Sequence, residues 1–545
     1  MGYRYFDSFG IKPRYGFGFG RSYTEFSMEV LSVTTDNRGT VTLEAAVTNT
    51  GSVPGKEVAQ VYASLPVGTL EKEARRLAAF AKTKLLAPGE TEVLTITFPA
   101  SRLESYDETA AAWVLEAGSY VISLGSSLES CRPAAVLTLE ADKLLEQLTN
   151  ICPLKQELKT LSLPEELRRQ RYARELEAAA QAEKLAYDLS GLETRVVDYT
   201  AEEQPDEASR LVEGLSTEQL ILLASGDPAR GQDSALGSAG VSVPGSAGET
   251  SRCAVDQGIA NISLADGPAG LRLNQKYYVN NGVAAMLPFE LSVEHGFFYD
   301  GPEPEGTPYY QYCTAIPVGA LLAQSWNMAL LETVGSAIGE EMALFGVQLW
   351  LAPGMNLHRN PLCGRNFEYF AEDPLLSGKC AAAITRGVQS HRGVGTTIKH
   401  FACNNQEDNR MCSNSVVPER VLRELYLKGF EIAVQESKPL SIMTSYNLIN
   451  GVHTANSYDL CTKAARREFG FEGVIMTDWT TTNLDDSCTA AGCMRAGNDL
   501  IMPGMASDHE NLRRELAAGT LTHAQLRRCV THLVRVILNS SCYES

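Results

Sequence analysis

The sequence contains no run of about 18 or more apolar residues, so no helix able to cross a bilayer is expected. Its first residues, MGYRYFDSFG, lack the basic-then-apolar pattern of a secretory leader, and on that reading the chain is expected in the cytoplasm. Positive charge is scarce: 47 Lys and Arg stand against 66 Asp and Glu, a net charge of −19. So acidic a chain is repelled by nucleic acid and by anionic membrane surfaces, and neither is expected as a partner. There is no CxxC pair, no HExxH and no Cys/His cluster, so no metal is expected. The 13 cysteines, an odd number without pairing pattern, read as reduced and mostly buried thiols. No GxGxxG or GxxxxGK[ST] loop follows a strand-like run, which argues against a bound nucleotide, and no cofactor is expected. A small neutral molecule such as a sugar is compatible with this composition.

The 545 residues, 44% apolar and 21% charged, have the profile of a globular chain too long for one core. Residues 1–22, rich in Gly, Tyr and Phe, read as an extended segment anchored by its aromatics. From 23 to 139, short runs such as TVTLEAAVTN, EVAQVYASL and EVLTITF alternate apolar and polar residues, with turns at DNRG, NTGSVPG and APGE between them. That spacing predicts a β-sandwich. Residues 140–212 hold many strong helix formers, as in LPEELRRQRYARELEAAAQAEKLAY, and predict a helical linker. From 213 to 545, buried strands such as NISLADG, TTIKHF, SIMTSYN and GVIMTDW alternate with amphipathic helices. This predicts an α/β region, a (β/α)8 TIM-like barrel with insertions, with a doubly wound open sheet as its rival.

Each of these strands ends on polar or turn-forming residues. In a barrel, the C-terminal strand ends form one mouth, and the active site lies there. Asp266, Lys399, His400, Tyr446 and Asp478 should therefore converge. Asp478, between the apolar run VIM and Trp479, is placed to attack an anomeric carbon, with a cation such as Lys399 keeping it ionised. A strand-end aspartate that caps the next helix is an equal reading. Lys399 and His400 suit sugar hydroxyls, while Lys399 also suits a Schiff-base lysine or a structural pair. Arg365, in a Gly- and Asn-rich loop, reads as a substrate clamp or as an ion pair with Glu368 or Glu372.

The segments LADGPAGLR, APGMNLHRNPLCGRNFEYFAEDP, IKHFACNNQEDNR, MTSYNLING and GFEGVIMTDW resemble, in order, those of glycoside hydrolase family 3, the β-glucosidase group. The region 23–139 is similar to the fibronectin type III-like domain of many such enzymes, and 1–22 resembles the end of their α/β-sandwich domain. The resemblance implies a retaining, exo-acting β-glucosidase. It implies Asp478 as nucleophile, with Asp266, Arg365, Lys399, His400 and Tyr446 holding the sugar and Trp479 as the wall beside it. The implied substrate is a small β-glucoside or oligosaccharide. The fibronectin-like region precedes the barrel, as in a rearranged subgroup of the family. In that subgroup the α/β sandwich supplies the general-acid Glu, and only its last residues are recognised here. Glu368, Glu372 and Glu407 are the barrel-loop carboxylates that would have to substitute. A second copy of the chain or an upstream α/β-sandwich polypeptide is the macromolecular partner the resemblance allows. The rival functions are a Schiff-base barrel enzyme using Lys399 and a non-catalytic carbohydrate-binding fragment.

Overall fold

The strand Val41–Asn49 shows how the first part of the chain folds: Val41, Leu43, Ala45 and Val47 are fully buried while the residues between them are partly exposed. Such alternation buries one face of a sheet. The computed structural model describes residues 1–227, 242–284, 301–484 and 486–543, and the chain divides into two units. The first comprises Met1–Asn150, Gln156–Val197 and Pro418–Leu425. In it, Val41–Asn49 pairs antiparallel with Phe26–Thr35 and Thr91–Phe98. A five-stranded sheet runs Glu183–Ala186, Arg132–Leu139, Gly118–Gly125, Val58–Ser64, Arg76–Lys82. Residues of both sheets share one core that includes Leu43, Val61, Ile96 and Ile122.

Two expectations are corrected. Residues Gly2–Phe9 form a helix rather than an extended segment, closed by Gly10 in the left-handed conformation at φ 67°. Its aromatics do anchor it: Tyr3 is buried, stacks on Phe17 at 4.3 Å and accepts a hydrogen bond from Leu77 N–H at 2.9 Å. The segment 140–212 is not purely helical. It includes the helices Glu165–Ala178 and Glu207–Glu213, and also the strands Lys143–Gln147, Glu183–Ala186 and Arg195–Val196. Open sheet edges offer backbone partners there, and that pairing outweighs side-chain helix propensity.

The second unit comprises Ile151–Lys155, Asp198–Val417 and Tyr426–Ser545. Its main sheet runs Gly248–Glu249, Ser263–Ala265, Leu349–Trp350, Gly395–Phe401, Ser441–Thr444, Val474–Met476. Single bridges continue it from Met476 to Leu500, from Ile501 to Ser225 and from Gly226 to Thr250, so the pairing returns to its start. The strands are parallel except for Gly248–Glu249, which runs antiparallel to Ser263–Ala265. The helices Met328–Phe345 and Pro374–Gln389 lie against each other so closely that a Cβ on Gly387 would sit 2.0 Å from the Glu332 carbonyl. Asp373 caps the second, accepting from Leu375 and Leu376 N–H at 2.9 and 3.1 Å, with Pro374 opening the first turn. All 13 cysteines are free thiols, nine of them buried. Among the described residues no helix is long and apolar enough to cross a membrane, and none form a cluster able to hold a metal ion.

Candidate active site

The buried strands of the second unit end on its polar side chains. Ser263–Ala265 delivers Asp266, Gly395–Phe401 carries Lys399 and His400, Ser441–Thr444 leads to Tyr446, and Val474–Met476 leads to Asp478 and Trp479. All six line one cavity of about 600 Å³, together with Arg365. That volume falls within the range of about 300–1,000 Å³ usual for small-molecule sites. The seven expected residues therefore converge. The cavity also takes Arg272, Glu368, Arg410 and Met443.

Asp478 is buried, and Oδ1 accepts a hydrogen bond from Trp479 N–H at 2.8 Å. Burial raises its pKa above the usual carboxylate value, against the lowering fields of Lys399 and Arg365. The Tyr446 hydroxyl beside it, itself raised by burial, donates to the Trp479 carbonyl at 2.9 Å. The Trp479 indole N–H donates to the Ala247 carbonyl at 3.2 Å, which fixes the ring as a wall of the cavity. The Asp478 side chain thus spends itself on its own neighbour's N–H and faces the cavity. The helix-capping reading finds no support in its hydrogen bonds.

His400 Nε2 lies 3.7 Å from Asp478 Oδ2, beyond hydrogen-bond range. The ring is almost wholly buried, and its Nδ1 is 3.3 Å from the Tyr369 hydroxyl. Burial, with the charges of Arg365, Lys399 and Arg410, holds His400 well below the ordinary histidine pKa, so the ring is neutral. Asn356 fixes the His400 backbone: Oδ1 accepts from its N–H and Nδ2 donates to its carbonyl, each at 2.9 Å.

Asp266 is tied to Lys399 Nζ at 2.9 Å and Arg272 Nη2 at 3.0 Å. Burial pushes its carboxyl up, but the two cations prevail and hold it at about 2. Arg365 is ion-paired with Glu368 and sits over the Tyr369 ring at 5.9 Å. Of the two partners weighed for Arg365, Glu368 is the one it binds. Arg410 lies 5.2 Å over the Tyr446 ring and holds Glu407 at 2.8 Å. Neither Glu372 nor Glu407 lines the cavity. Arg272 and Arg410 escaped the strand-end argument because they stand in loops several residues past a strand. Only their place in the segments LADGPAGLR and IKHFACNNQEDNR could have pointed to them.

Four cations and three carboxylates thus surround a space walled by Trp479 and floored by Met443 and Leu351. Residues 305–536 match the profile described as the glycosyl hydrolase family 3 N-terminal domain, and 57–128 match a fibronectin type III-like domain. Residues 305–536 are thus a glycosyl hydrolase family 3 domain. A β-glucosidase of Ruminococcus albus is 36% identical over 562 residues, covering 99% of this chain and 54% of that protein. Among solved structures, a β-glucosidase of Paenibacillus barengoltzii superposes with a TM-score of 0.78 at 33% identity, covering 99% of this chain and 58% of its own. β-Glucosidase 3B of Thermotoga neapolitana, in complex with α-D-glucose, gives a TM-score of 0.53 at 40% identity, over 62% of this chain and 43% of its own. The chain spans about half the length of the curated relatives it matches across most of its length.

Proposed function

We propose that the cavity is the sugar site of a retaining, exo-acting β-glycosidase that removes terminal β-D-glucosyl residues. The observation that carries this reading is the Asp478 carboxylate, buried at the cavity wall and faced by Lys399 and Arg365. In the first step an Asp478 oxygen bonds to the anomeric carbon as the bond to the leaving group breaks, and the leaving oxygen takes up a proton. In the second, water attacks that carbon, a base takes its proton, and Asp478 departs as carboxylate. Asp266, Lys399, His400 and Arg365 bind the hydroxyls, Tyr446 positions Asp478, and Trp479 lies against the sugar. The names of the Ruminococcus and Paenibacillus relatives, and the glucose complex of the Thermotoga enzyme, support a glucosyl substrate.

The same reading makes the closed strand circuit a (β/α)8 barrel with its second strand reversed, occupying 213–545. It puts the fibronectin-like sandwich at 23–139, ahead of the barrel, with the end of an α/β-sandwich domain at 1–22. A second copy or a separate α/β-sandwich polypeptide is the macromolecular partner it proposes. A Schiff-base role for Lys399 is disfavoured, because its Nζ is held by the Asp266 carboxylate at 2.9 Å rather than presented free to a carbonyl carbon.

Sites built to bond a hydroxyl reject analogues that lack it, because polar groups are left unpaired. Nitrophenyl β-glucoside should therefore have a higher kcat/KM than β-xyloside or β-N-acetylglucosaminide. Xyloside in first place would overturn the glucosyl assignment, and glucose binding without any turnover would make the chain a binding protein.

A further inference from the structure

The cavity does not end where its polar residues end. Two of its lining residues, Gln275 and Cys313, flank a pair of strands, Lys276–Asn280 and Thr307–Tyr310. The strands pair antiparallel, with Tyr277 directly opposite Tyr309, and the pairing continues to Gln275 through the Gln311 N–H at 3.0 Å. Side chains alternate between the faces of a strand. Gln275 and Tyr277 on one strand, and Tyr309, Gln311 and Cys313 on the other, therefore share a face, and that face runs out of the cavity. Tyr277 is two residues beyond Gln275, or about 7 Å at the usual rise per residue. The Tyr277 and Tyr309 rings lie 5.7 Å apart and nearly parallel, at 18°, with Tyr309 48% exposed.

We propose that Tyr277 and Tyr309 form the platform for the second pyranose ring of a β-linked gluco-oligosaccharide, on the leaving-group side of the cavity. The proposal rests on the sugar-site reading given above. A β-glucopyranose ring carries its hydroxyls equatorially and presents axial C–H groups above and below, so each of its faces is apolar and fits flat on an aromatic ring. Tyrosine supplies such a surface with few rotamers to freeze and with a hydroxyl at its rim. The platform's face is continuous with the cavity, and a first ring held beside Asp478 directs its leaving group outward. The strand pair carries an internal control: Tyr310 and Tyr312, stacked at 6.0 Å and 13° and more exposed than Tyr309, lie on the opposite face.

Titration calorimetry on the full chain with glucose and with cellotriose tests the platform. The wild type should bind cellotriose more tightly than glucose. Tyr309→Ala should shrink that preference by about threefold to tenfold while leaving glucose affinity unchanged, and Tyr309→Trp should retain it. The double variant Tyr310→Ala with Tyr312→Ala should behave as wild type. An unchanged preference in Tyr309→Ala, or an equal loss in the opposite-face variant, overturns the platform while leaving the sugar site standing. Glucose binding with no preference for cellotriose in the wild type does the same. Failure of the wild type to bind glucose at all overturns the sugar-site reading, and the platform with it.

Discussion

Asp478 is pulled in two directions, and the balance sets what can be measured on it. Burial raises its pKa, and Lys399 and Arg365 lower it. The acid limb of the kcat/KM profile should report its ionisation. Lys399→Met removes a lowering field, so that limb should move to higher pH; a shift to lower pH, or none, would contradict the assigned electrostatics. The stability consequence has a definite sign. A carboxyl raised in the folded state binds its proton more tightly there than in the unfolded chain. Its stabilising share is present below the unfolded pKa and is lost as pH rises through the folded one. At neutral pH the ionised Asp478 is therefore a burden on the fold. Asp478→Asn should lower turnover of aryl β-glucosides by about 10³-fold or more while the Tm stays level or rises. A variant keeping a tenth of the activity would remove Asp478 from the nucleophile's role. Asp266 has the opposite sign: held at about 2, it stabilises above the unfolded value of 3.8, and that share is lost as pH falls towards 2.

At the scale of elements, the strand Gly395–Phe401 carries two cavity residues in succession, and its geometry depends on a neighbour that does not line the cavity. Asn356 binds both the N–H and the carbonyl of His400. Asn356→Ala leaves both buried groups without partners, at a cost of about 1–3 kcal/mol each. Because small displacements of positioning groups are expensive in rate, kcat should fall by up to about 10²-fold, with a smaller effect on KM. Thermal unfolding together with steady-state kinetics would check this; full activity at wild-type Tm would mean the strand holds its path without Asn356. The strand ends were legible in the sequence because a buried strand reads as an apolar run and its first polar residue marks the mouth. That rule reached Asp266, Lys399, His400, Tyr446 and Asp478. It could not reach Arg272 or Arg410, whose positions follow from loop paths with no periodicity to read. Neither the helix Gly2–Phe9 nor the strands within 140–212 could be read from side-chain pattern. The first depends on a few tertiary contacts such as Tyr3 on Phe17, and the others on pairing with distant strands.

For the molecule as a whole, the proposed glycosidase reaction requires that the leaving group gain a proton. Among the described residues that line the cavity, the carboxyl groups are Asp266, Glu368 and Asp478. Asp266, held at about 2 by Lys399 and Arg272, is ionised at neutral pH and cannot donate. Glu368 is engaged by Arg365, and Asp478 is assigned to attack. None of the three is poised as an acid, and a donor–base is typically worth about 10²–10⁴-fold. The activity of this chain by itself should therefore depend steeply on its leaving group. Dinitrophenyl β-glucoside, whose phenolate departs without a proton, should turn over far faster than cellobiose. Azide needs no base in the second step, so it should accelerate turnover and yield β-glucosyl azide, the retained configuration reporting the intermediate on Asp478. Cellobiose hydrolysis by the purified chain at about 1–10³ s⁻¹, unaffected by azide, would contradict this and make Glu368, among the described residues, the first proton donor to test. With Glu368 as donor, Glu368→Gln should abolish cellobiose turnover while sparing the dinitrophenyl substrate, and the Arg365–Glu368 pair would have to open when sugar binds.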